Sequence, residues 1–387
     1  MKIMITLGRL QGGGAERVAV VWADALVKLG HQVVLATNKD FSDAPFVYPI
    51  NPKVMMSNCF KSPTGQTLEK DLLLRKKIGL PYRIYKVLTY YIKCHIALRK
   101  EIKHFKPDVI LGVMNIPSIQ SLIASIGLGC KVVSTEHNSF ERPSSAPLSM
   151  SMHFFKYIAN KWFSLVSVLT TADKEYIGNR LKNVQVMPNP LALTPISSPL
   201  PNKQKRILAA GRLSAWHCKG FDILIKAWGK IAHKYPDWLL DIAGTGDEKS
   251  TDYLQSLIND EDISSQTILS GFHDDMSKYY AESEIFVLSS RYEGFGMVLI
   301  EAMSQGCACI AADYKGRQKE ILGSENIGMI IKPDDVEGMS KAMAELIENK
   351  DLRLKMQYNA IEKSKDFKSS IIAEKWLNLF YEKFGLK

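Results

Sequence analysis

Two glutamates flank a glycine turn in the second half of the chain, and their spacing is suited to chemistry. Glu293 precedes Gly294 and Gly296, and Glu301 follows with seven residues between the two carboxylates. The apolar run 285–288 predicts a strand before the turn, and the pattern after Gly296 predicts a helix. Such a turn presents free N–H groups to a phosphate, while carboxylates accept hydrogen bonds from sugar hydroxyls. A plain strand, turn and helix with two solvated glutamates fits the same residues.

Cations follow an earlier strand of the same half. Gly211-Arg212-Leu213 comes directly after that strand, and Lys219-Gly220 lies a short way beyond. Arginine offers a planar fork to phosphate oxygens and lysine a compact charge, so the two together would clamp a diphosphate. Each charge alone could equally be surface charge. The glycine turn 244–247 is a weak signal, and we read Asp260-Glu261-Asp262 as solvated acids rather than a metal site.

The first half contributes a glycine loop and a histidine. Gly12-Gly13-Gly14 opens the first predicted helix and could approach a phosphate or an acceptor, or could be a tight turn only. It is not a dinucleotide-binding fingerprint, because Arg17 occupies the third glycine position. His137 follows another strand, where it could contact a sugar or act as acid or base, or could be structural.

Alternating strands and helices must position these loops. The alternation predicts an α/β protein with two doubly wound, Rossmann-like parallel sheets. A proline-rich stretch separates them, so we expect a first domain at 1–188, a linker at 189–205 and a second domain at 206–370. A helix at 371–387 is expected to cross back to the first domain. The ligand cleft would lie between the domains, at the carboxyl ends of the strands. Residues 39–80 show no clear period and are expected to be irregular.

Composition and charge narrow the class of protein. No apolar run approaches the length of a membrane-spanning helix, and the start does not resemble a signal peptide. The six cysteines show no zinc-ligand spacing, which favours a reduced, cytoplasmic protein. Residues 1–200 carry 25 Lys+Arg against 12 Asp+Glu, and residues 201–387 carry 25 against 28. The basic first half therefore suggests a polyanionic partner. A nucleic acid is not expected, because no aromatic platform or recognised motif accompanies the charge.

The basic excess is densest in the segment 70–106. Eleven basic and two acidic residues lie there, and apolar residues recur at helical spacing. The predicted apolar stripe comprises Ile84, Leu88, Tyr91, Leu98 and Ile102. A basic amphipathic helix can lie on an anionic membrane surface, which would place the protein at the inner face of the cell membrane. An ordinary helix packed on its domain by this stripe fits equally well.

Taken together, these motifs resemble the retaining nucleotide-sugar glycosyltransferases of family 4, which have the GT-B fold. The resemblance covers nearly the whole chain, and its specific part is the paired glutamates with the upstream Arg212 and Lys219. It extends to bacterial enzymes that extend lipid-linked glycans, capsule or lipopolysaccharide. The matching segments, in chain order, are Gly13-Gly14-Ala15-Glu16-Arg17, Gly211-Arg212-Leu213, Lys219-Gly220, Gly244-Thr245-Gly246-Asp247, Gly271-Phe272 and 293–301.

The resemblance implies a role for each matching residue. Arg212 and Lys219 would bind the donor diphosphate, Glu293 the donor-sugar hydroxyls and Glu301 the ribose. His137 would lie near the donor sugar, and Glu293, His137, Arg212 and Lys219 would form the catalytic set. The backbone around Gly294, Phe295, Gly296, Met297 and Val298 would hold the phosphate and the sugar. The loop at Gly271, Phe272 and His273 would contact the base. Gly13 and Gly14 would lie across the cleft from the donor. Asn189-Pro190 departs from the family's usual Asn-Gly, so a role for Asn189 is in doubt.

The resemblance also implies the reaction. A hexose or N-acetylhexosamine would pass from a nucleotide sugar, with UDP as the default, to a hydroxyl of a lipid-linked or cell-surface glycan. The anomeric configuration would be retained, and no cofactor or metal would be needed, since cations neutralise the leaving group. Two alternatives stay open: a nucleotide-sugar 2-epimerase of the same fold, which would turn over without an acceptor, and a non-catalytic nucleotide-sugar binding protein.

Overall fold

The computed structural model describes residues 1–8, 10, 13–37, 48–59, 79–143, 147–197, 200–273 and 275–386, without the side chains of 80, 82–84, 86 and 87. Thirteen strands lie in the described part of the chain. They are β1 Lys2–Thr6, β2 Gln32–Thr37, β3 Met55–Asn58, β4 Val109–Val113, β5 Lys131–Thr135, β6 Leu165–Val168, β7 Val184–Val186, β8 Gln204–Ala210, β9 Leu239–Ala243, β10 Thr267–Gly271, β11 Ser283–Leu288, β12 Ala308–Ala312 and β13 Gly328–Ile331.

Helices connect these strands. They are α1 Gly14–Lys28, α2 Leu80–Phe105, α3 Asn115–Ala124, α4 Met150–Tyr157, α5 Thr171–Ile177, α6 Trp216–Lys219, α7 Phe221–Gly229, α8 Glu248–Asp260, α9 Met276–Ala281, α10 Met297–Ser304, α11 Arg317–Leu322, α12 Val336–Glu348, α13 Lys350–Ser364 and α14 Ser369–Phe384. None of the helices within the described residues combines the length and the apolar character needed to cross a bilayer.

Two parallel sheets confirm the predicted pair of Rossmann-like domains. The first has the strand order β3-β2-β1-β4-β5-β6-β7, and the second has the order β10-β9-β8-β11-β12-β13. The central strands of both sheets are rich in valine, isoleucine and alanine and are buried, as parallel strands covered on both faces must be. Strand order reverses between β1 and β4 in the first sheet and between β8 and β11 in the second. Parallel α/β sheets bind ligands at such switch points, beyond the carboxyl ends of the strands.

The chain crosses twice between the domains, and the two crossings lie side by side. Leu191 in the linker donates its backbone N–H to the carbonyl of Phe367 at 2.6 Å and bridges to Lys368. Beyond this point α14 packs on the first domain, where Trp376 meets the ring of Trp22 edge-on at 5.5 Å. The final helix is therefore part of the core formed by β1, β2 and α1.

Two local predictions are wrong. Residues 39–80 are not wholly irregular, because β3 lies among them; the residues 38–47 and 60–78 are outside the described part of the chain. This edge strand is short and only partly buried, so it lacks a strong apolar signal. The predicted stripe of α2 is also divided: Leu98 and Ile102 are buried, whereas Leu88 and Tyr91 are exposed. The side chain of Ile84, the remaining residue of the predicted stripe, lies outside the described part of the chain.

Candidate active site

The loops that follow β8, β9 and β10 interlock at the edge of the second sheet. Gly211 donates its N–H to the carbonyl of Ala243 at 2.9 Å, and Gly244 donates to Gly271 at 2.7 Å. Leu213 in turn donates to Thr245 at 2.8 Å. This network holds the turn that carries Arg212, whose side chain is exposed.

Lys219 and Glu293 form an ion pair at this edge, with 2.6 Å between Lys219 Nζ and Glu293 Oε2. The pair is partly buried, and the nearby carboxylate raises the pKa of Lys219, whereas burial and the charge of Arg212 lower it. Lys219 is thus charged and held beside a second cation. The family resemblance assigned Lys219 to the diphosphate of the nucleotide sugar and Glu293 to its sugar hydroxyls. The structure brings these two side chains into direct contact.

The turn after Lys219 fixes the position of this lysine. Gly220 has φ +66°, and a Cβ there would lie 2.0 Å from the carbonyl oxygen of Ser289. Only glycine fits this conformation and this approach. The Ser289 hydroxyl donates to the Lys219 carbonyl at 2.8 Å, and Arg291 donates its N–H to Cys218 at 2.9 Å. The ends of β8 and β11 are therefore tied together beneath the ion pair.

The glycine turn after β11 leads directly into α10. Phe295 is buried, Gly296 precedes the helix, and Met297 and Val298 begin it with half-buried side chains. The Leu299 N–H donates to the Gly296 carbonyl at 2.9 Å, whereas the N–H groups of Met297 and Val298 lie at the start of the helix, where they can receive an anion. The predicted strand, turn and helix are present as expected.

Gly294 marks the place where this turn meets the first domain. A Cβ on Gly294 would lie 2.8 Å from the backbone nitrogen of Ser139 and 3.2 Å from Cα of Asn138. The absence of a side chain thus allows the two domains to approach closely here. The loop after β5, which carries His137, consequently faces the turn that carries Glu293.

His137 lies after the carboxyl end of β5 and packs against neighbouring side chains. Its Nε2 is 3.0 Å from Thr135 Oγ1, and its ring lies 5.5 Å from that of Trp22. Burial lowers the pKa of His137 to about 4, and the neighbouring side chain of Asn189 opposes this shift. The imidazole is therefore neutral near pH 7, so it can donate a hydrogen bond to a hydroxyl or accept one, but it carries no positive charge. Asn189, doubtful on sequence, is buried beside it.

A buried lysine braces the loop that carries His137. Lys156 donates from Nζ to the Ser139 carbonyl at 3.0 Å and lies 3.8 Å from Glu136 Oε2. Burial raises the pKa of Glu136 and lowers that of Lys156, and each charge partly offsets the shift of the other. The loop is thus held by internal charge rather than by a regular element.

Glu301 is bonded from both domains. Arg17, on the first turn of α1, donates from Nη1 to Glu301 Oε1 at 2.8 Å. The hydroxyl of Tyr280 lies 3.4 Å from Glu301 Oε2. Burial raises the pKa of Glu301, and the Arg17 charge lowers it. Sequence reasoning placed Glu301 in the donor site but missed Arg17 as its partner, although Arg17 belongs to the glycine-loop motif.

The remaining predicted donor residues are peripheral to this centre. Gly13 and Gly14 are exposed at the start of α1, and the Gly13 N–H donates to Glu16 at 3.1 Å. Gly12 lies outside the described residues. On the other domain, Gly271 ends β10, the Phe272 ring is exposed, and His273 stacks on Tyr279 with 3.9 Å between ring centroids.

A buried ion pair that the sequence did not reveal joins the domains beside the site. Arg317, the first residue of α11, donates from Nη2 to Asp173 Oδ1 at 2.6 Å, and both side chains are almost fully buried. Asp173 also accepts from the Phe140 N–H at 2.8 Å. Next to it, Glu320 accepts from the Thr171 N–H at 2.8 Å. This contact between α5 and α11 fixes the loop that begins at His137.

Metal-ligand clusters do not contribute to this arrangement. Across the described residues, no group of three or more His, Cys, Asp or Glu side chains is placed to hold a metal ion. The chemical features that meet at the cleft are three cations (Arg17, Arg212 and Lys219), two carboxylates, a neutral imidazole and a helix N-terminus. Such a set suits a ligand that carries phosphates and hydroxyls together.

Comparison with known proteins extends this picture. The curated relatives include a glycosyltransferase of Haemophilus influenzae without an assigned reaction, 29% identical over 94% of this chain and 95% of its own length. Another is the Campylobacter jejuni α-1,4-N-acetyl-D-galactosaminyltransferase that acts on GalNAc-α-(1→4)-GalNAc-α-(1→3)-diNAcBac-PP-undecaprenol, 26% identical over 99% of both chains. The amylovoran biosynthesis glycosyltransferase AmsD of Erwinia amylovora is 28% identical over 97% of this chain and 98% of its own length.

Solved structures share the fold. A TarM variant from S. aureus, crystallised with Fondaparinux, alpha-GlcNAc-glycerol and UDP, superposes with a TM-score of 0.77 at 15% identity, covering 98% of this chain and 99% of that one. HepE from Anabaena, crystallised with UDP-glucose, gives a TM-score of 0.74 at 18% identity, covering 99% of this chain and 100% of that one. At these identities the likeness concerns architecture.

Family models match the two halves of the chain in turn. The family described as Glycosyltransferase Family 4 matches residues 12–194, and Glycosyl transferases group 1 matches residues 194–363. The point where the two matches meet falls in the linker between the two sheets. The matches, the relatives and the paired-sheet architecture agree: this chain belongs to the family 4 glycosyltransferases of the GT-B fold.

Proposed function

We propose that the protein is a retaining transferase that moves a hexose or an N-acetylhexosamine from a nucleotide sugar, with UDP as the first choice, to a hydroxyl of a lipid-linked or cell-surface glycan. The observation that carries the proposal is the Lys219–Glu293 pair, which lies beside Arg212 and across the cleft from the His137 loop. Cations at one face and hydrogen-bonding groups at the other suit a sugar diphosphate held between two domains.

The charges account for departure of the nucleotide. As the bond between the anomeric carbon and the diphosphate oxygen breaks, negative charge accumulates on the diphosphate. Arg212, Lys219 and the N-terminus of α10 would neutralise this charge, a role that a divalent ion fulfils in other enzymes. We therefore propose that transfer needs no metal. Structural neighbours crystallised with UDP or UDP-glucose support a nucleotide of this type.

Retention would follow from attack on the same face as the leaving group. The acceptor hydroxyl oxygen bonds to the anomeric carbon while the bond from that carbon to the diphosphate breaks. The hydroxyl proton passes to an oxygen of the departing diphosphate, so the products are a glycoside and a nucleoside diphosphate. Glu293 would hold sugar hydroxyls with the carboxylate oxygen that Lys219 does not bond. The neutral ring of His137 would bond a hydroxyl from the first domain.

The acceptor proposal draws on the relatives and on the first domain. The Campylobacter jejuni relative is named for an undecaprenol-diphosphate-linked glycan, and AmsD for the polysaccharide amylovoran. The first 200 residues hold 25 Lys+Arg against 12 Asp+Glu, so this domain would attract an anionic lipid-linked acceptor. A glycan built on a lipid diphosphate fits both observations.

An exposed apolar side of α2 would place the enzyme at a membrane. Leu88, Ile92 and Ile96 are 55%, 56% and 61% exposed and recur along one side of the helix. Lys93 and Lys100 are exposed on the same helix. Apolar side chains beside lysines suit the boundary between headgroups and acyl chains in an anionic bilayer. We propose peripheral attachment through this surface; residues 70–78 of the basic segment lie outside the described chain.

Vesicle flotation tests the attachment. The protein should float with phosphatidylglycerol vesicles. Ile92→Ser combined with Ile96→Ser should lower the bound fraction roughly tenfold, because the variant lacks two apolar side chains that would enter the bilayer. Ile268→Ser, at an exposed isoleucine of the second domain, is the matched control and should bind normally. Equally negligible binding to phosphatidylglycerol and phosphatidylcholine vesicles would remove the proposal.

A panel of nucleotide sugars tests the reaction itself. Thermal shift should identify a donor, and the protein should then transfer its sugar to a glycan acceptor, with the α or β configuration of the product matching the donor. Because cations replace a metal in this proposal, EDTA should leave the rate within about twofold. Loss of activity in EDTA that Mn²⁺ restores would contradict metal independence, and turnover of the donor to its 2-epimer without acceptor would contradict transfer.

A further inference from the structure

The ion pair between Arg17 and Glu301 crosses from one domain to the other inside the cleft. Arg17 Nη1 and Glu301 Oε1 are 2.8 Å apart, within normal hydrogen-bond distance. The Arg17 side chain is 28% exposed, and that of Glu301 is 3% exposed. Arg17 therefore covers the carboxylate on the side that faces the first domain.

The surroundings of Glu301 leave Arg17 as its principal charged partner. The other carboxylate oxygen has the Tyr280 hydroxyl at 3.4 Å, a long contact. No second cation pairs with Glu301 among the residues that the structure describes. A ligand hydroxyl that approaches this carboxylate must share or replace the bond from Arg17.

We infer that Arg17 and the ribose hydroxyls of the nucleotide compete for Glu301, so that Arg17 is a positioning residue that sets donor affinity. The inference rests on the proposed function and on the family resemblance, which implies that Glu301 binds the ribose of the donor. Glu301 is almost fully buried and Arg17 already bonds its Oε1, so a ribose hydroxyl that binds this oxygen must share or replace the bond from Arg17. Displacement is feasible because Arg17 is partly hydrated and its guanidinium lies 5.9 Å from the Tyr48 ring, which offers a second site for its charge.

The competition also connects the domains. Arg17 is on the first turn of α1, directly after the glycine loop, and Glu301 is on α10, directly after the predicted phosphate cradle. When a ribose occupies Glu301, the bond from α1 to α10 is lost. Binding of the donor would then release the start of α1, next to the glycine loop, from α10. The first-domain side of the cleft would thus respond to donor binding.

Calorimetric titration with UDP tests the inference. Arg17→Ala should bind UDP roughly three- to tenfold more tightly than the wild type, since the nucleotide no longer displaces a partly buried ion pair. Inorganic pyrophosphate, which has no ribose, should bind Arg17→Ala no more tightly than the wild type. Lys28→Ala removes a surface pair with Asp24 from the same helix and should leave UDP affinity unchanged.

A double-variant cycle separates competition from a general change in the cleft. In a Glu301→Gln background, Arg17→Ala should no longer raise UDP affinity, because the pair is already broken. Unchanged or weaker UDP binding by Arg17→Ala in the natural background would overturn the inference, and so would an equal gain for pyrophosphate. Failure of the wild type to bind any nucleoside diphosphate would instead refute the proposed function on which the inference rests.

Discussion

Replacing Arg212 or Lys219 with alanine should lower kcat by about 10²-fold or more, the usual cost of losing one preorganised charge that meets the transition state. The residues on either side of Arg212 donate to Ala243 and Thr245, and the Lys219 carbonyl accepts from Ser289, so the backbone at both cations is held before the substrate arrives. In the proposed reaction, the leaving diphosphate would acquire its charge between these two cations. The effect should therefore appear in kcat more than in KM.

Two controls sharpen this measurement. Lys230→Ala removes an exposed lysine that pairs with Glu337 in the same domain, and the rate should remain normal. Lys219→Arg keeps the charge beside Glu293 and should recover part of the rate. Steady-state kinetics with a donor from the panel supply the numbers. Near-normal kcat in both alanine variants would exclude the diphosphate clamp.

Removal of Arg317 should destabilise the protein by about 3–5 kcal/mol, because it leaves the buried carboxylate of Asp173 without its cation. Arg317 is fully buried, and its Nη2 lies 2.6 Å from Asp173 Oδ1. Asp173 still accepts from the Phe140 N–H, but that bond does not replace a lost charge. Urea unfolding of Arg317→Ala followed by circular dichroism gives the change in unfolding free energy.

Matched variants distinguish a buried interdomain pair from ordinary surface charge. Lys365→Ala breaks an exposed pair with Glu362 and should cost at most about 1 kcal/mol. Arg317→Met combined with Asp173→Asn should be less damaging than Arg317→Ala, because no unpaired charge stays buried. A loss in Arg317→Ala no larger than that in Lys365→Ala would show that the contact between α5 and α11 opens without cost.

The paired α/β architecture could be predicted from the sequence because its signals are local. Buried strands and amphipathic helices can each be recognised from a short stretch of sequence, and the proline-rich linker separates the two domains. The edge strand β3 was missed because it is short and half exposed. The stripe of α2 was predicted as one surface, but Leu88 and Tyr91 are exposed, since helical spacing does not reveal where the supporting domain stops.

The residues of the candidate site could be named from the sequence, but their pairings could not. Arg212, Lys219, Glu293 and Glu301 were placed at one cleft from their loops and from the family resemblance. The bonds among them depend on distant contacts: Lys219 and Glu293 are 74 residues apart in the chain, and Arg17 and Glu301 are 284 apart. The Arg317–Asp173 contact spans 144 residues and belongs to no motif. Only the folded arrangement could reveal these partners.

The packing of α14 has a consequence for the order in which the molecule matures during synthesis. The first domain is translated before the second, yet its core includes Trp376 and Phe380 from the last helix. Until α14 has been translated, the nascent first domain therefore lacks the apolar side chains that pack beside Trp22. Consolidation of this core must wait until the second domain has been translated, so the first domain acquires its final packing only after its neighbour has been made.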